Sequence, residues 1–146
     1  MQELIWSGLI EPVAGMTVPE YGIYRMHLAD SDGRLIPICR LAGSDPEGVL
    51  YIGRSGKSTA KTPRHLSVRI GEFVRWGPHS GANTYQQAAK VLARRGVAVG
   101  HRVFVSTCAL CDADVTAGEK RALRAYFESF AELPPFNTSF SGKHDA

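Results

Sequence analysis

Glycine and proline divide the first part of this chain into pieces too short for a long helix. Gly8, Pro12, Gly15, Pro19, Gly33, Pro37, Gly43, Pro46, Gly48 and Gly53 all fall within residues 1–53, and such residues mark turns and strand ends. Residues 21–29, Tyr-Gly-Ile-Tyr-Arg-Met-His-Leu-Ala, carry large and β-branched side chains in alternation and predict a strand. A turn follows at Asp30–Gly33. Residues 34–41 predict a second strand, which Pro37 confines to a sheet edge because proline has no N–H for a central ladder. Residues 43–48 read as a turn, and Val49–Gly53 as a short strand that stops at its glycine. Residues 1–20 predict a short strand or helix, then a loop.

Beyond this region the apolar period changes. Leu66, Ile70, Phe73 and Val74 recur at helical spacing and predict an amphipathic helix over 63–76, with Pro63 at its first position and Gly77-Pro78 as its stop. A second helix is expected over 82–95, with Tyr85, Ala88, Ala89 and Leu92 as its buried stripe and Gly96 beyond it. Residues 101–107 predict a strand. Thr116 is placed as the cap of a helix over 117–131 that turns Leu123, Phe127 and Phe130 inward and ends before Pro134-Pro135. Strands, two helices, a strand and a helix make one small α+β or three-layer domain, a size suited to 146 residues. The longest apolar runs are pieces such as Val103-Phe104-Val105, far short of a membrane span. No signal peptide is legible, and three cysteines make no disulfide framework, so a reducing, cytoplasmic setting is expected.

Charge is unevenly spread. Arg54, Lys57, Lys61, Arg64, Arg69 and Arg75 are opposed only by Glu72, a local excess of five that exceeds the net +3 of the whole chain. A concentrated positive patch attracts a polyanion; a solvated helix face is the alternative.

Two tripeptides are the most informative features: Gly22-Ile23-Tyr24 on one predicted strand and Tyr51-Ile52-Gly53 on another. A basic helix with Arg69 follows them. A later helix carries Glu119, Leu123 and Tyr126 on succeeding turns, and Pro134-Pro135-Phe136-Asn137 comes after it. In this order the elements resemble the GIY-YIG nucleases over roughly residues 20–140. The resemblance implies a small three-layer α/β/α domain with a central, mostly antiparallel sheet of three or more strands. It divides the chain into an N-terminal extension (1–20) packing on the domain, a nuclease-like domain (21–140) with an insertion at about 25–50, and a flexible tail (141–146). The 26 residues between Tyr24 and Tyr51 exceed the family's usual spacer, and the predicted strand 34–41 fits inside that insertion. The stretch from Tyr51 to the arginine is also long, so Arg64 competes with Arg69 for the catalytic position. Phe73 stands where some members have a histidine.

The implied activity is metal-dependent endonucleolytic hydrolysis of DNA, with Mg²⁺ or Mn²⁺ as cofactor and DNA as partner. Hydrolysis of a phosphodiester requires an activated water, charge stabilisation on the phosphoryl oxygens and help for the leaving oxygen. Glu119 is the expected metal ligand, because hard cations prefer carboxylate oxygen and keep several waters. Its alternative is a glutamate favoured by the helix dipole. Arg69 would clamp phosphate with its planar fork of donors. The resemblance gives Tyr24 a base or proton-relay role, Tyr51 a hydrogen bond to water or phosphate, and Asn137 the orientation of a phosphate or a tyrosine. As a turn residue after Pro-Pro, Asn137 would have no such role. Gly53 is expected to turn the chain sharply and bring backbone N–H groups near phosphate. Arg54, Lys57, Lys61, Arg64, Arg75 and His79 complete the expected DNA surface, and Arg94-Arg95 would extend it. Cys108 and Cys111 have the spacing of a zinc knuckle but lack a full ligand set. Specificity would come from the insertion, the N-terminal residues, a partner protein or a homodimer. A catalytically inactive nucleic-acid-binding module of the same fold is the nearest rival reading, and a module that binds an acidic protein is another.

Overall fold

The computed structural model describes residues 3–57, 65–74, 86–88, 90, 91, 94 and 102–138. Strand β1 (Gly22–Ala29) lies between β4 (Val49–Ser55) and β5 (Arg102–Ala109), antiparallel to both. Being central, β1 buries both of its faces: Ile23, Tyr24 and Met26 are fully buried. Alternation sends their side chains to opposite sides of the sheet. Ile23, Ile52 and Cys108 join Ala122, Leu123 and Tyr126 of helix α2 (Val115–Phe130) in one core. Tyr24, Met26 and Val105 join Leu66, Ile70 and Phe73 of helix α1 (Leu66–Val74) in the other. The protein is thus a small α+β domain with a three-stranded antiparallel sheet between two helices. Residues 86–88 are also helical, within the expected 82–95 segment.

Both edges of the sheet are covered, as isolated proteins require to avoid strand-to-strand association. The N-terminal segment runs along β5, where Ile10 and Val105 exchange backbone hydrogen bonds of 2.8 and 2.9 Å and Ser7 N–H donates to the Thr107 carbonyl at 2.7 Å. Along β4, Phe136 N–H donates to the Leu50 carbonyl at 2.9 Å, and Asn137 follows it. No helix among the described residues is long and apolar enough to cross a membrane.

Several local expectations are corrected. The segment expected as one strand over 34–41 contains only β2 (Ile38–Arg40), and the expected turn at 43–48 begins with β3 (Gly43–Asp45), with which β2 forms a separate two-stranded sheet. β4 does not stop at Gly53 but runs through it to Ser55. Helix α2 starts earlier than Thr116, after a 3₁₀ turn (Asp112–Asp114), with Asp114 as N-cap and no side-chain capping bond. Phe127 is 41% exposed, and the buried stripe is Val115, Gly118, Ala122, Leu123 and Tyr126. Leu123 and Phe130 face the core as expected, and only Phe127 turns outward.

Residues 40–45 serve α2. Ala42 N–H donates to the Phe130 carbonyl at 3.0 Å, and Arg40 reaches Glu132 at 2.8 Å and the Leu133 carbonyl at 3.2 Å. The first bond satisfies a carbonyl at the helix C-terminus that has no partner within the helix, and the other two hold the residues just after it. Buried Asp45 accepts from the N–H groups of Glu47 and Val49 and from the Tyr126 hydroxyl, each at 2.9 Å, and so ties the hairpin to the middle of α2.

Candidate active site

The start of β1 and the end of β4 lie side by side, because their antiparallel register pairs Tyr24 with Gly53 and Met26 with Tyr51. The pairing gives both tripeptide glycines a packing role. A methyl group on Gly53 would sit 2.5 Å from Cζ and Oη of Tyr24, so the phenol ring occupies the space that a side chain would fill. A methyl group on Gly22 would collide with the Cys108 carbonyl oxygen, so this residue permits the close approach of β1 and β5. Gly53 therefore makes room for Tyr24 inside a strand; the sharp turn expected there is absent.

Tyr24 and Tyr51 lie with ring centroids 6.1 Å apart, and Tyr51 packs at 5.8 Å against Phe73 of α1. Phe73, which stands where the resemblance would allow a histidine, forms an apolar wall. On α1, Arg69 Nη1 meets Glu72 Oε2 at 2.8 Å, one turn apart, with exposures of 22% and 13%. From the other side, α2 brings Glu119 to β4, where Arg54 Nη1 lies 3.4 Å from Glu119 Oε1. The pair is largely enclosed, with Glu119 only 12% exposed.

Three of these charges, Arg69, Glu72 and Glu119, bear on the Tyr24 phenol. Its pKa is raised well above the ordinary value, first by burial, then by Tyr51, with Glu119 and Glu72 adding to the rise and Arg69 opposing it. The positive charge of Arg69 does not overcome desolvation. At neutral pH Tyr24 keeps its proton, so it is suited to donate a hydrogen bond or pass a proton along and unsuited to be a resting base.

Asn137 does not face the cluster as a lone phosphate ligand. Its Oδ1 accepts from Ile52 N–H and its Nδ2 donates to the Ile52 carbonyl, both at 2.9 Å. The side-chain amide thus mimics a neighbouring strand and fixes the backbone between Tyr51 and Gly53. Asn137 positions the site through β4.

Of the expected basic surface, Arg54 and Arg69 are engaged in ion pairs, and Lys57 is exposed just past β4. Lys61, Arg64, Arg75, His79 and Arg95 lie outside the described residues; Arg94 is exposed on a helical residue. The cysteine pair splits: Cys108 is buried, whereas Cys111 is exposed and its thiol donates to Asp114 at 3.0 Å. Among the described residues no three His, Cys, Asp or Glu side chains converge as a metal cage. Glu119 alone still fits a hard divalent cation, which needs few protein oxygens when phosphate and water fill its other positions.

Sequence reasoning counted Glu72 only as an isolated acid in a basic stretch, and read Arg54 only as a DNA contact. The spacing of Arg69 and Glu72 three residues apart on a helix was the available signal for the first. Nothing local pointed to Arg54 and Glu119, which are 65 residues apart. A cavity of about 480 Å³ opens on the α2 face, away from Tyr24, between Trp6, Arg25, Glu47, Arg124 and Tyr126. Its floor belongs to a polar seam in which Arg25 stacks 4.0 Å over Trp6 and donates to Ser106 at 3.0 Å. No protein-family model, curated protein or solved structure matches the chain.

Proposed function

We propose that this domain is a metal-dependent endonuclease that hydrolyses DNA phosphodiesters at a GIY-YIG-type site. One observation carries the reading: Tyr24 and Tyr51 of the two tripeptides pack together, and Arg69 and Glu119, which the wider resemblance singles out, both act on the Tyr24 phenol. Two facing tyrosines, a guanidinium and an enclosed carboxylate answer the needs of phosphodiester hydrolysis.

Glu119 would hold Mg²⁺ or Mn²⁺, which supplies Lewis-acid stabilisation of the phosphoryl oxygens when bound. Arg69 presents its fork to a non-bridging phosphate oxygen and remains charged through the reaction. Tyr24, kept protonated by burial, would act as a relay, its oxygen accepting a proton from the attacking water as its own O–H proton passes to a non-bridging phosphate oxygen. Tyr51, half-buried between Tyr24 and Phe73, orients that water. Asn137 holds the β4 backbone under both.

The test is incubation of the purified protein with supercoiled plasmid and Mn²⁺. Nicked circles are expected from the wild type and none from Glu119→Gln, a near-isosteric change that removes the charge. An inert wild type that still shifts DNA in a salt-sensitive way would leave only the nucleic-acid-binding module. Equal nicking by both proteins would remove Glu119 from the site.

A further inference from the structure

We propose that the two ion pairs of this site, Arg54–Glu119 and Arg69–Glu72, are exchanged for ligands when substrate binds, and that the exchange couples divalent-metal binding to phosphodiester binding. The inference rests on the nuclease reading and adds to it a role for Arg54 and Glu72.

The pairs stand 3.4 and 2.8 Å apart and are largely shielded from water, with all four side chains between 12% and 26% exposed. Charges this enclosed need partners. Glu119 meets the Arg54 guanidinium and Glu72 that of Arg69. A cation on Glu119 takes over the role of Arg54 and repels it. A phosphodiester on Arg69 takes over the role of Glu72 and repels it in the same way. Each displaced group then favours the other ligand: Arg54, released beside the site, attracts the phosphate, and Glu72 attracts the cation. The coupling is therefore positive, and by linkage it is equal in both directions. Arg54 and Glu72 thus act in two ways: each first pairs with Glu119 or Arg69, and once displaced each favours the other ligand by its charge.

Two binding measurements on the intact protein test this without recourse to turnover. The first is titration of Mn²⁺ into DNA-free protein by calorimetry. Arg54→Met removes a competitor for Glu119 and should tighten Mn²⁺ binding about fivefold, the upper end of what one ion pair still partly open to water contributes. Arg54→Lys keeps the charge and should bind Mn²⁺ as the wild type does, while Glu119→Gln should lose it. The second is fluorescence anisotropy with a short DNA duplex. Glu72→Gln should bind about fivefold tighter than wild type in EDTA, and Ca²⁺ should raise the affinity of wild type more than that of Arg54→Met. Melting curves confirm that each variant is folded, and Arg54→Gln replaces the methionine variant if it is not. Unchanged Mn²⁺ binding in the uncharged Arg54 variant, with loss in Glu119→Gln, would overturn the exchange and leave the nuclease reading standing. A wild type that binds neither Mn²⁺ nor the duplex would overturn both.

Discussion

Replacing Asn137 by alanine tests how β4 is held. The amide of Asn137 makes two 2.9 Å hydrogen bonds to the N–H and carbonyl of Ile52, a residue only 2% exposed. Alanine removes both and leaves one donor and one acceptor on an edge covered by residues 134–137. Each bond contributes about 0.5–1.5 kcal/mol net, and each group left without a partner costs about 1–3 kcal/mol. Partial access of water to an edge strand places the total at about 2–4 kcal/mol. For a domain of this size that lowers the melting temperature by about 6–16 °C. Asn137→Asp should melt no higher than the alanine variant at neutral pH, because its carboxylate accepts from Ile52 N–H but repels the Ile52 carbonyl. Thermal unfolding followed by circular dichroism reads both. An alanine variant that melts with the wild type but binds DNA more weakly would refute the strand clamp and return Asn137 to the role of phosphate ligand.

Three further outcomes follow from the same geometry. Gly53→Ala puts a methyl group 2.5 Å from the Tyr24 ring, and the resulting overpacking should destabilise the fold by about 1–3 kcal/mol, read by urea unfolding; a Tyr24→Phe background should not relieve it, since the ring carbons also clash. Tyr24→Phe should lower nicking by about 10²–10⁴-fold if its proton is passed on during the reaction, and the pH–rate profile should show no limb near neutrality from Tyr24, whose pKa is raised. His27 is buried, with Nδ1–H donating to the Glu47 carbonyl and Nε2 accepting from Ser106, each at 2.8 Å; burial lowers its pKa. The unfolded chain therefore takes up that proton first as pH falls, so stability should be level above about pH 6.5. Below it, stability should decline by up to about 1.4 kcal/mol per pH unit until the folded value is reached. Unfolding midpoints between pH 5 and 7.5 check this, and the decline should vanish in His27→Gln.

Periodicity determined which residues of this chain face a core. Ile23, Tyr24 and Met26 read as a strand, and Leu66, Ile70 and Phe73 as one helix face, and all six are fully buried. The reason is local: a strand repeats every two residues and a helix every 3.6, so the pattern states the element and its buried side. The order of elements likewise implied a small α+β domain. The pairing of tyrosine and glycine across β1 and β4 was legible only as two tripeptides; the register that sets Tyr24 against Gly53 belongs to the folded sheet. Other decisions were made entirely by tertiary structure. Asn137 meets Ile52 across 85 residues, and Arg54 meets Glu119 across 65. A polar side chain carries no periodic signal for a partner so distant. Its contact is fixed by where an edge strand leaves backbone groups to be satisfied, or where an enclosed charge must be balanced. The segment 34–45 shows the same limit. Its proline announced an edge, but only the folded chain shows that this edge completes the C-terminal end of α2, through Ala42 and Arg40.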